Sequence, residues 1–144
     1  MEVRYTLTLP GAKAPAYATA GAAAADLFAV LDAPLTLPPG GRALVPTGVA
    51  IQLPGPEYVA LVCARSGLAV KRGVTLSNGV GVIDSDYRGA IQVGLVNLSG
   101  EPCTLENGER IAQLMVLPVA RCAFTFAQAL DETDRGAGGF GSTG

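Results

Sequence analysis

Short segments of alternating or continuous apolar character recur along the chain, and clusters of glycine, proline, serine and asparagine separate them. Segments of this kind are typical of β-strands, and the polar clusters between them are typical of turns. Short strands at this spacing favour an antiparallel sandwich or barrel, so we predict an all-β fold. The strand candidates are residues 3–9, 42–53, 58–64, 90–98, 109–117 and 121–126.

One alanine-rich stretch, residues 17–30 (YATAGAAAADLFAV), departs from this pattern. Helix propensity alone would make it helical, because alanine is the best helix former. Gly21 interrupts it, however, and Pro15 and Pro34 lie close to its two ends, so helix and strand both stay open. A short helical turn is also compatible with residues 66–71.

The composition describes one folded domain of 144 residues, with 49% apolar and 15% charged residues. We assign residues 1–134 to a β domain and residues 135–144 (RGAGGFGSTG), half of which are glycine, to a flexible C-terminal segment. The net charge of −2 gives no general attraction to phosphate backbones, so we expect no nucleic-acid partner.

The chain contains no histidine, which excludes Ser-His-Asp and Cys-His nucleophile systems and imidazole metal ligands. A hydrolase with this sequence would therefore use a carboxylate as its general base. The three cysteines (Cys63, Cys103 and Cys122) form no CxxC pair, and we expect them to be small buried residues in a reducing compartment. The N-terminal segment lacks the apolar core of a signal peptide, and no apolar run is long enough to cross a membrane. We therefore expect a cytoplasmic protein without a membrane partner.

Two central segments carry residue types suited to phosphate chemistry. Arg65, Ser66 and Gly67 place a planar cation beside a hydroxyl and a flexible glycine, which suits a phosphate, although an exposed turn with a solvated arginine is equally open. Residues 84–88 (DSDYR) follow an apolar run. One of these aspartates could act as a general base and the tyrosine as a flat platform, or the segment could be a polar turn whose arginine forms a salt bridge.

The C-terminal segment 135–144 also has two readings. Such a glycine-rich end is most often a frayed terminus. Against that, it carries one arginine, one phenylalanine and a Ser-Thr pair on its glycine backbone. These groups could hold a phosphate, stack on a base and donate hydrogen bonds.

Five segments, in order, resemble the five motifs of the trimeric dUTPases (deoxyuridine triphosphate nucleotidohydrolases). They are residues 21–27 (GAAAADL), 64–69 (ARSGLA), 78–89 (NGVGVIDSDYRG), 108–115 (GERIAQLM) and 135–144 (RGAGGFGSTG). The resemblance covers nearly the whole chain, and RSGLA, IDSDYRG and ERIAQL are specific together. The chain departs from the family pattern at Ala24, where a glycine is usual, and at Ala64, where a proline is common. Neither position carries a group expected to do chemistry.

The resemblance implies a distorted jelly-roll-like β-barrel subunit of the β-clip type. Subunits of the family assemble as a homotrimer, and each active site draws motifs from all three chains. The glycine-rich tail closes over the site as a flexible lid. In such a fold, residues 22–30 are extended, with strand pairing overriding helix propensity.

The resemblance also implies the reaction, which is hydrolysis of dUTP to dUMP and pyrophosphate. Asp84 would activate the water that attacks the α-phosphate. Mg²⁺ would be held mainly by the substrate phosphates, with Asp26 contacting its waters. The reaction would limit uracil incorporation into DNA and supply dUMP for dTMP synthesis.

Further substrate contacts follow from the same resemblance. Tyr87 would stack on the deoxyribose and leave no room for a 2′-hydroxyl, while the hairpin with Asn78 and Val82 would enclose uracil. Phe140 would lie over uracil, and Arg135 would meet the terminal phosphate. The other phosphate and lid contacts are Arg65, Ser66, Gly67, Gln113, Gly141, Ser142 and Thr143.

Two alternatives belong to other functional classes. A dCTP deaminase has a related fold but uses a glutamate just beyond the hairpin, and no glutamate lies between Asn78 and Gly100. A non-catalytic trimer that keeps the fold as a binding module is the second. Against it, every group expected to do chemistry is present, including the tail.

Overall fold

The computed structural model describes residues 1–139 and residue 141. The described residues form an all-β fold with one short helix, as the strand pattern predicts. The elements are β1 (Arg4–Leu7), β2 (Ala16–Tyr17), β3 (Ala25–Phe28), β4 (Leu35–Leu37), β5 (Arg42–Pro46), β6 (Val49–Gln52), β7 (Tyr58–Cys63), α1 (Ser66–Arg72), β8 (Val74–Leu76), β9 (Gly81–Ile83), β10 (Gln92–Asn97), β11 (Cys103–Leu105) and β12 (Arg110–Pro118).

The strands form four antiparallel sheets around a common core. Their orders are β1-β6, β5-β10-β8, β11-β4 and β2-β3-β12-β7-β9. No closed barrel forms among the described residues, which corrects the expectation of a barrel subunit. The described strands pair only within these four separate sheets, and no ring of strand pairing joins them.

The five-stranded sheet positions most of the residues discussed below. Its central strand β12 pairs with β3 on one side and β7 on the other. In this register, Gln113 lies opposite Asp26 on β3 and opposite Cys63 on β7. The pairing with β3 shifts between Arg110 and Ala112, as at a β-bulge. Two segments distant in sequence therefore meet across β12.

Side chains from all four sheets contribute to one buried apolar cluster, which includes Leu27, Leu37, Val45, Val49, Ala60, Leu95, Leu105 and Ala112. Asn97 is a fully buried polar residue at the end of β10. Its Nδ2 donates to the carbonyls of Leu37 (2.9 Å) and Glu101 (2.8 Å), and its Oδ1 accepts from the amide of Ser99 (2.9 Å). This side chain thus joins β10 to β4 and to the loop before β11.

The alanine-rich segment forms strand β3 and not a helix, as the resemblance implies. Ala25, Asp26 and Leu27 are buried, with β2 on one side and β12 on the other. Backbone pairing on both sides and burial outweigh an intrinsic helix preference of at most about 0.7 kcal/mol per residue.

Two other local predictions have clear outcomes. The helical turn at residues 66–71 is confirmed as α1, which ends at Gly73 in the left-handed conformation. The single strand expected over residues 42–53 is two strands, because the chain turns at Gly48 (φ +65°). A Cβ at Gly48 would lie 2.6 Å from the Cβ of Ala12, so glycine is needed there for space as well as for conformation.

The chain after β12 runs differently from the prediction. Residues 121–126 form no strand, because no strand in the described part of the chain lies beside them. Phe124 and Phe126 are 98% and 91% exposed. The expectation of buried cysteines holds for Cys103, but Cys63 is only half-buried and Cys122 is exposed because it lies in this unpaired segment. Within residues 1–139, no helix is long and apolar enough to span a membrane.

Candidate active site

A buried carboxylate lies between two arginines on the five-stranded sheet. Arg65 Nε donates to Asp26 Oδ1 at 2.7 Å, and Arg110 donates through one terminal nitrogen to Asp26 Oδ2 at 3.2 Å. The Asp26 side chain is 9% exposed, whereas those of Arg65 and Arg110 are 22% and 50% exposed. Two cations face one anion, so this cluster carries surplus positive charge that can attract an anionic ligand.

The segment after β7 brings further polar groups to this cluster. Gln113 Nε2 donates to the carbonyl of Ala64 at 3.0 Å, which ties β12 to the residue before Arg65. Ser66 and Gly67 form the first turn of α1 and are exposed. The structure therefore brings Arg65, Ser66, Gly67, Gln113 and Asp26 to one end of the β3, β12 and β7 strands.

An ion pair fixes α1 at its other end. The Arg72 guanidinium donates to the carboxylate of Glu109 and to the carbonyl of Thr104. The second oxygen of that carboxylate accepts from the amide of Glu106 at 3.0 Å. These contacts join the C-terminal end of α1 to the turn that precedes β12. They hold the two elements that carry Arg65 and Arg110 in a fixed relation.

The turn between β8 and β9 joins two sheets, because β8 is an edge strand of the three-stranded sheet and β9 is an edge strand of the five-stranded sheet. The hairpin expected from the sequence is therefore a connection between sheets, in which β8 pairs with β10 and β9 pairs with β7. Asn78 and Gly79 form the turn, with Gly79 at φ +73°, and both are exposed. Val82 is exposed on β9, where it pairs with Leu61 of β7. A Cβ at Gly81 would lie 3.0 Å from the Cβ of Val62, so a glycine lets β9 approach β7 closely.

Asp84 begins a turn directly after β9. Its carbonyl accepts from the amide of Tyr87 at 3.2 Å. The Tyr87 hydroxyl donates to the carbonyl of Ala90 at 3.3 Å, and its ring lies over Gly89, where an added Cβ would be 2.5 Å from Tyr87 Cζ. The Asp84 carboxylate is exposed and lines a pocket of about 260 Å³. The other lining residues are Pro56, Tyr58, Val59, Val82, Ser85, Val119 and Arg121.

Arg88 does not form the salt bridge that the sequence left open. One terminal nitrogen of its guanidinium donates to the carbonyls of Ser85 (2.8 Å) and Tyr87 (3.0 Å). Among the described residues it pairs with no carboxylate. Arg88 therefore stabilises the conformation of the turn after Asp84 by donating hydrogen bonds to the backbone carbonyls of that turn.

One chain does not bring Asp84 and Arg65 together. Asp84 follows Ile83, which lies opposite Ala60 on β7, so Asp84 lies beside Val59. Arg65 lies six residues after Val59 and has extended backbone angles (φ −94°, ψ 128°). At the rise of a β-strand, Asp84 and Arg65 are therefore about 20 Å apart along β7. Two groups that contact neighbouring atoms of one phosphate chain should lie within about 10 Å of each other.

The side chain of Arg135 forms a hydrogen bond within the tail itself. Arg135 Nε donates to the carbonyl of Gly138 at 2.8 Å, and Gly141 is exposed with φ +90°. Phe140, Ser142 and Thr143 lie outside the described residues.

The surroundings of Asp26 decide what kind of metal contact fits there. Both of its oxygens accept from arginine, and the surplus positive charge opposes a cation bound directly to this carboxylate. The remaining lone pairs can still accept from a water on a metal that arrives with a polyphosphate. No group of three or more acidic or cysteine side chains in the described part of the chain could hold a metal ion. The residues thus fit a water-mediated contact only.

Arg110 is the site residue that sequence reasoning missed. It lies within the segment 108–115, so the motif contained it, but its contact with Asp26 depends on the register of β12 and β3. The two residues in contact are 84 positions apart in sequence. Residue type and spacing cannot specify such a pairing.

Comparison with known proteins identifies relatives over the whole chain. The dUTPase family model matches residues 11–144. A deoxyuridine 5′-triphosphate nucleotidohydrolase of Desulfitobacterium hafniense (strain DSM 10664 / DCB-2) is 53% identical over 144 residues, which cover 100% of this chain and 95% of that protein. The protein of the same name from Burkholderia multivorans (strain ATCC 17616 / 249) is 54% identical over 130 residues, which cover 90% of this chain and 88% of that protein.

Solved structures share the fold. A mutant dUTPase of Staphylococcus bacteriophage 80alpha with dUpNHpp has a TM-score of 0.88 at 24% identity and covers 99% of this chain and 98% of its own. A mutant dUTPase of phage phi11 of S. aureus, solved with a structural Mg(II) ion, has a TM-score of 0.80 at 21% identity, covering 92% and 100%. These likenesses establish the fold, and the family model and the two relatives establish ancestry. The chain belongs to the dUTPase family.

Proposed function

We propose that this protein hydrolyses dUTP to dUMP and pyrophosphate. Membership of the dUTPase family makes the chain an enzyme of the dUTP diphosphatase class. The family match over residues 11–144 carries the proposal, because it spans the phosphate cluster, the β8–β9 turn, Asp84 and the tail.

The triphosphate binds at the cluster around Arg65. The surplus positive charge of Arg65 and Arg110 over Asp26 supports this assignment, since it is balanced when an anion arrives. Ser66, Gly67 and Gln113 supply hydrogen-bond donors on the same edge of the sheet.

The β8–β9 turn and strand β9 enclose uracil, with Asn78 and Val82 at the base. Backbone enclosure excludes the thymine methyl group sterically, a difference worth about 1–3 kcal/mol in a soft pocket and more in a rigid one. The Tyr87 ring packs on the deoxyribose and leaves no space for a 2′-hydroxyl. Its hydroxyl contact with Ala90 and its position over Gly89 support a fixed ring.

Asp84 is the general base. Its carboxylate takes a proton from water as the water oxygen bonds to the α-phosphorus and the bond from that phosphorus to the bridging oxygen of pyrophosphate breaks. A positioned base contributes about 10²–10⁴-fold to such a step. Arg65 neutralises charge that develops on the phosphate oxygens. Mg²⁺ on the triphosphate would supply further neutralisation of this charge, with Asp26 contacting one of its waters.

The active enzyme is a homotrimer with shared active sites. The separation of about 20 Å between Asp84 and Arg65 supports this arrangement, because a neighbouring chain can supply the missing partner. The arm that follows β12, residues 119–131, is exposed along its whole length and contains Phe124 and Phe126. A segment that lies outside every sheet of its own described chain and exposes aromatic side chains is suited to packing on a sheet of another subunit.

Residues 135–144 form a separate segment that acts as the lid. Phe140 covers uracil, Arg135 contacts the terminal phosphate, and Gly141, Ser142 and Thr143 add hydrogen bonds. Closure would exclude bulk water from the reacting phosphate, leaving the positioned water as nucleophile. The cytoplasm is where removal of dUTP limits uracil incorporation into DNA and where dUMP is supplied for dTMP synthesis.

Pyrophosphate release from dUTP, dCTP, dTTP and UTP with Mg²⁺ tests the proposal. We expect release from dUTP alone and a loss of about 10²–10⁴-fold in Asp84→Asn with analogue binding retained. Asp86→Asn is the matched control, because it removes an exposed carboxylate two residues away in the same turn. Ammonia from dCTP would favour a deaminase, and no product from any of the four would favour a non-catalytic module.

A further inference from the structure

The Asp26 carboxylate has two arginine partners of different exposure. The contact from Arg65 is short (2.7 Å), and the contact from Arg110 is longer (3.2 Å) and more open to solvent. Arg110 also faces Arg65 with its backbone, since its carbonyl lies 3.5 Å from a terminal nitrogen of Arg65. The three residues come from β3, β12 and the end of β7, so the fold assembles them.

The two arginines cannot have equivalent roles. A buried carboxylate left without a partner is strongly unfavourable, because it has lost its water and gains no compensating charge. When Arg65 turns its donors to a triphosphate, its hold on Asp26 weakens. Arg110 then supplies the pairing that keeps Asp26 compensated. Without Arg110, a movement of the Arg65 guanidinium toward the phosphate would leave the Asp26 carboxylate without a cationic partner.

We propose that Arg110 is a positioning residue of the phosphate site. It acts through Asp26, by sharing the charge of that carboxylate and thereby making the guanidinium of Arg65 available to the triphosphate. The inference rests on the proposed function, because it takes Arg65 as a ligand of the triphosphate. The ligand class is a nucleoside triphosphate, whose negative charge exceeds that of one carboxylate.

A double-mutant cycle on the purified full-length protein tests this role. Binding of dUpNHpp is measured by calorimetry at fixed Mg²⁺ for wild type, Arg110→Gln, Asp26→Asn and the double variant. We expect Arg110→Gln to weaken binding about 10- to 100-fold when Asp26 is present and less than about 3-fold in the Asp26→Asn background. The reason is that a neutral amide at position 26 no longer retains Arg65.

Two further variants complete the design. Arg110→Lys keeps the charge, and because Arg110 makes only one contact with Asp26, we expect binding within about 5-fold of wild type. Arg4→Gln is the matched control, since Arg4 is an exposed arginine that pairs only with Glu2. It should leave binding unchanged. Thermal unfolding of every variant verifies that the fold is intact, and Arg110→Met, which also removes the charge, takes the place of Arg110→Gln if that variant does not fold.

The outcomes separate this inference from the proposed function. Failure of the wild type to bind dUpNHpp contradicts the proposed function itself. With wild-type binding intact, equal weakening by Arg110→Gln in both backgrounds would show that Arg110 contacts the phosphate directly, and this would overturn the positioning role. Unchanged binding in Arg110→Gln would also overturn it.

Discussion

Replacing Gly89 with alanine should displace the Tyr87 ring while leaving the fold intact. Gly89 does not have a positive φ, so alanine fits the backbone there. The new Cβ would lie 2.5 Å from Tyr87 Cζ and 3.0 Å from Cε2. Ordinary carbon contacts are about 3.5–4.0 Å, so the ring must move by about 1 Å or more. The ring is half-exposed at the surface and has room to move outward.

The expected effect is on sugar recognition. A misplacement of about 1 Å in a substrate-positioning group can cost about 10²-fold, so kcat/KM for dUTP should fall about 10- to 100-fold. Discrimination between dUTP and UTP should fall by about tenfold, because the displaced ring no longer fills the space of a 2′-hydroxyl. The free energy of unfolding should change by less than about 1 kcal/mol, since Gly→Ala at a compatible site also restricts the unfolded chain.

Pyrophosphate release from dUTP and UTP, followed over a range of concentrations, gives both ratios. Gly100→Ala is the matched control, because it adds the same methyl group where no atom lies within 4 Å. It should leave both kcat/KM values unchanged. If Gly89→Ala keeps the wild-type dUTP/UTP ratio, the Tyr87 ring does not discriminate the sugar and the reasoning fails.

Two further predictions concern the core and the arm. Asn97→Ala should lower the free energy of unfolding by about 2–4 kcal/mol in urea titrations, because the buried carbonyl of Leu37 and the part-buried amide of Ser99 lose their partner. Asn107→Ala is its control, an exposed side chain that accepts one hydrogen bond from Leu31, with a loss of about 1 kcal/mol. If the proposed trimer is held by the arm, replacing Phe124 and Phe126 together with serine should give a monomer in sedimentation experiments while retaining the β spectrum by circular dichroism. A double variant that stays trimeric would exclude the arm as the main subunit contact.

The sequence predicts those parts of the fold in which local pattern and packing agree. The strands around residues 58–64, 90–98 and 109–117 are found because their apolar residues face the core. The break at Gly48 is missed, since a positive φ and contact with Ala12 leave no periodic signal. The segment 121–126 has the residue types of a strand, but it lies beside no other strand of the described residues.

For the candidate site, the motif segments supply Arg65, Asp84 and Gln113, but their mutual distances depend on register. Propensity scales assign the alanine-rich segment to a helix, and only pairing with β12 makes it a strand that carries Asp26. The contact between Arg110 and Asp26 follows from that same pairing. The pairing of β3 with β12 therefore explains both the wrong helix prediction for the alanine-rich segment and the contact that the motif does not specify.

The exposed arm after β12 has a kinetic consequence. The four sheets contain their own buried cluster, so the core of a chain can form in a first-order process. In the proposed trimer, burial of the arm against another chain would be second-order in protein concentration. At low concentration, chains would therefore populate a folded intermediate whose aromatic arm is unprotected. Refolding yield should then depend on a competition between correct association and aggregation, even though each chain folds without help.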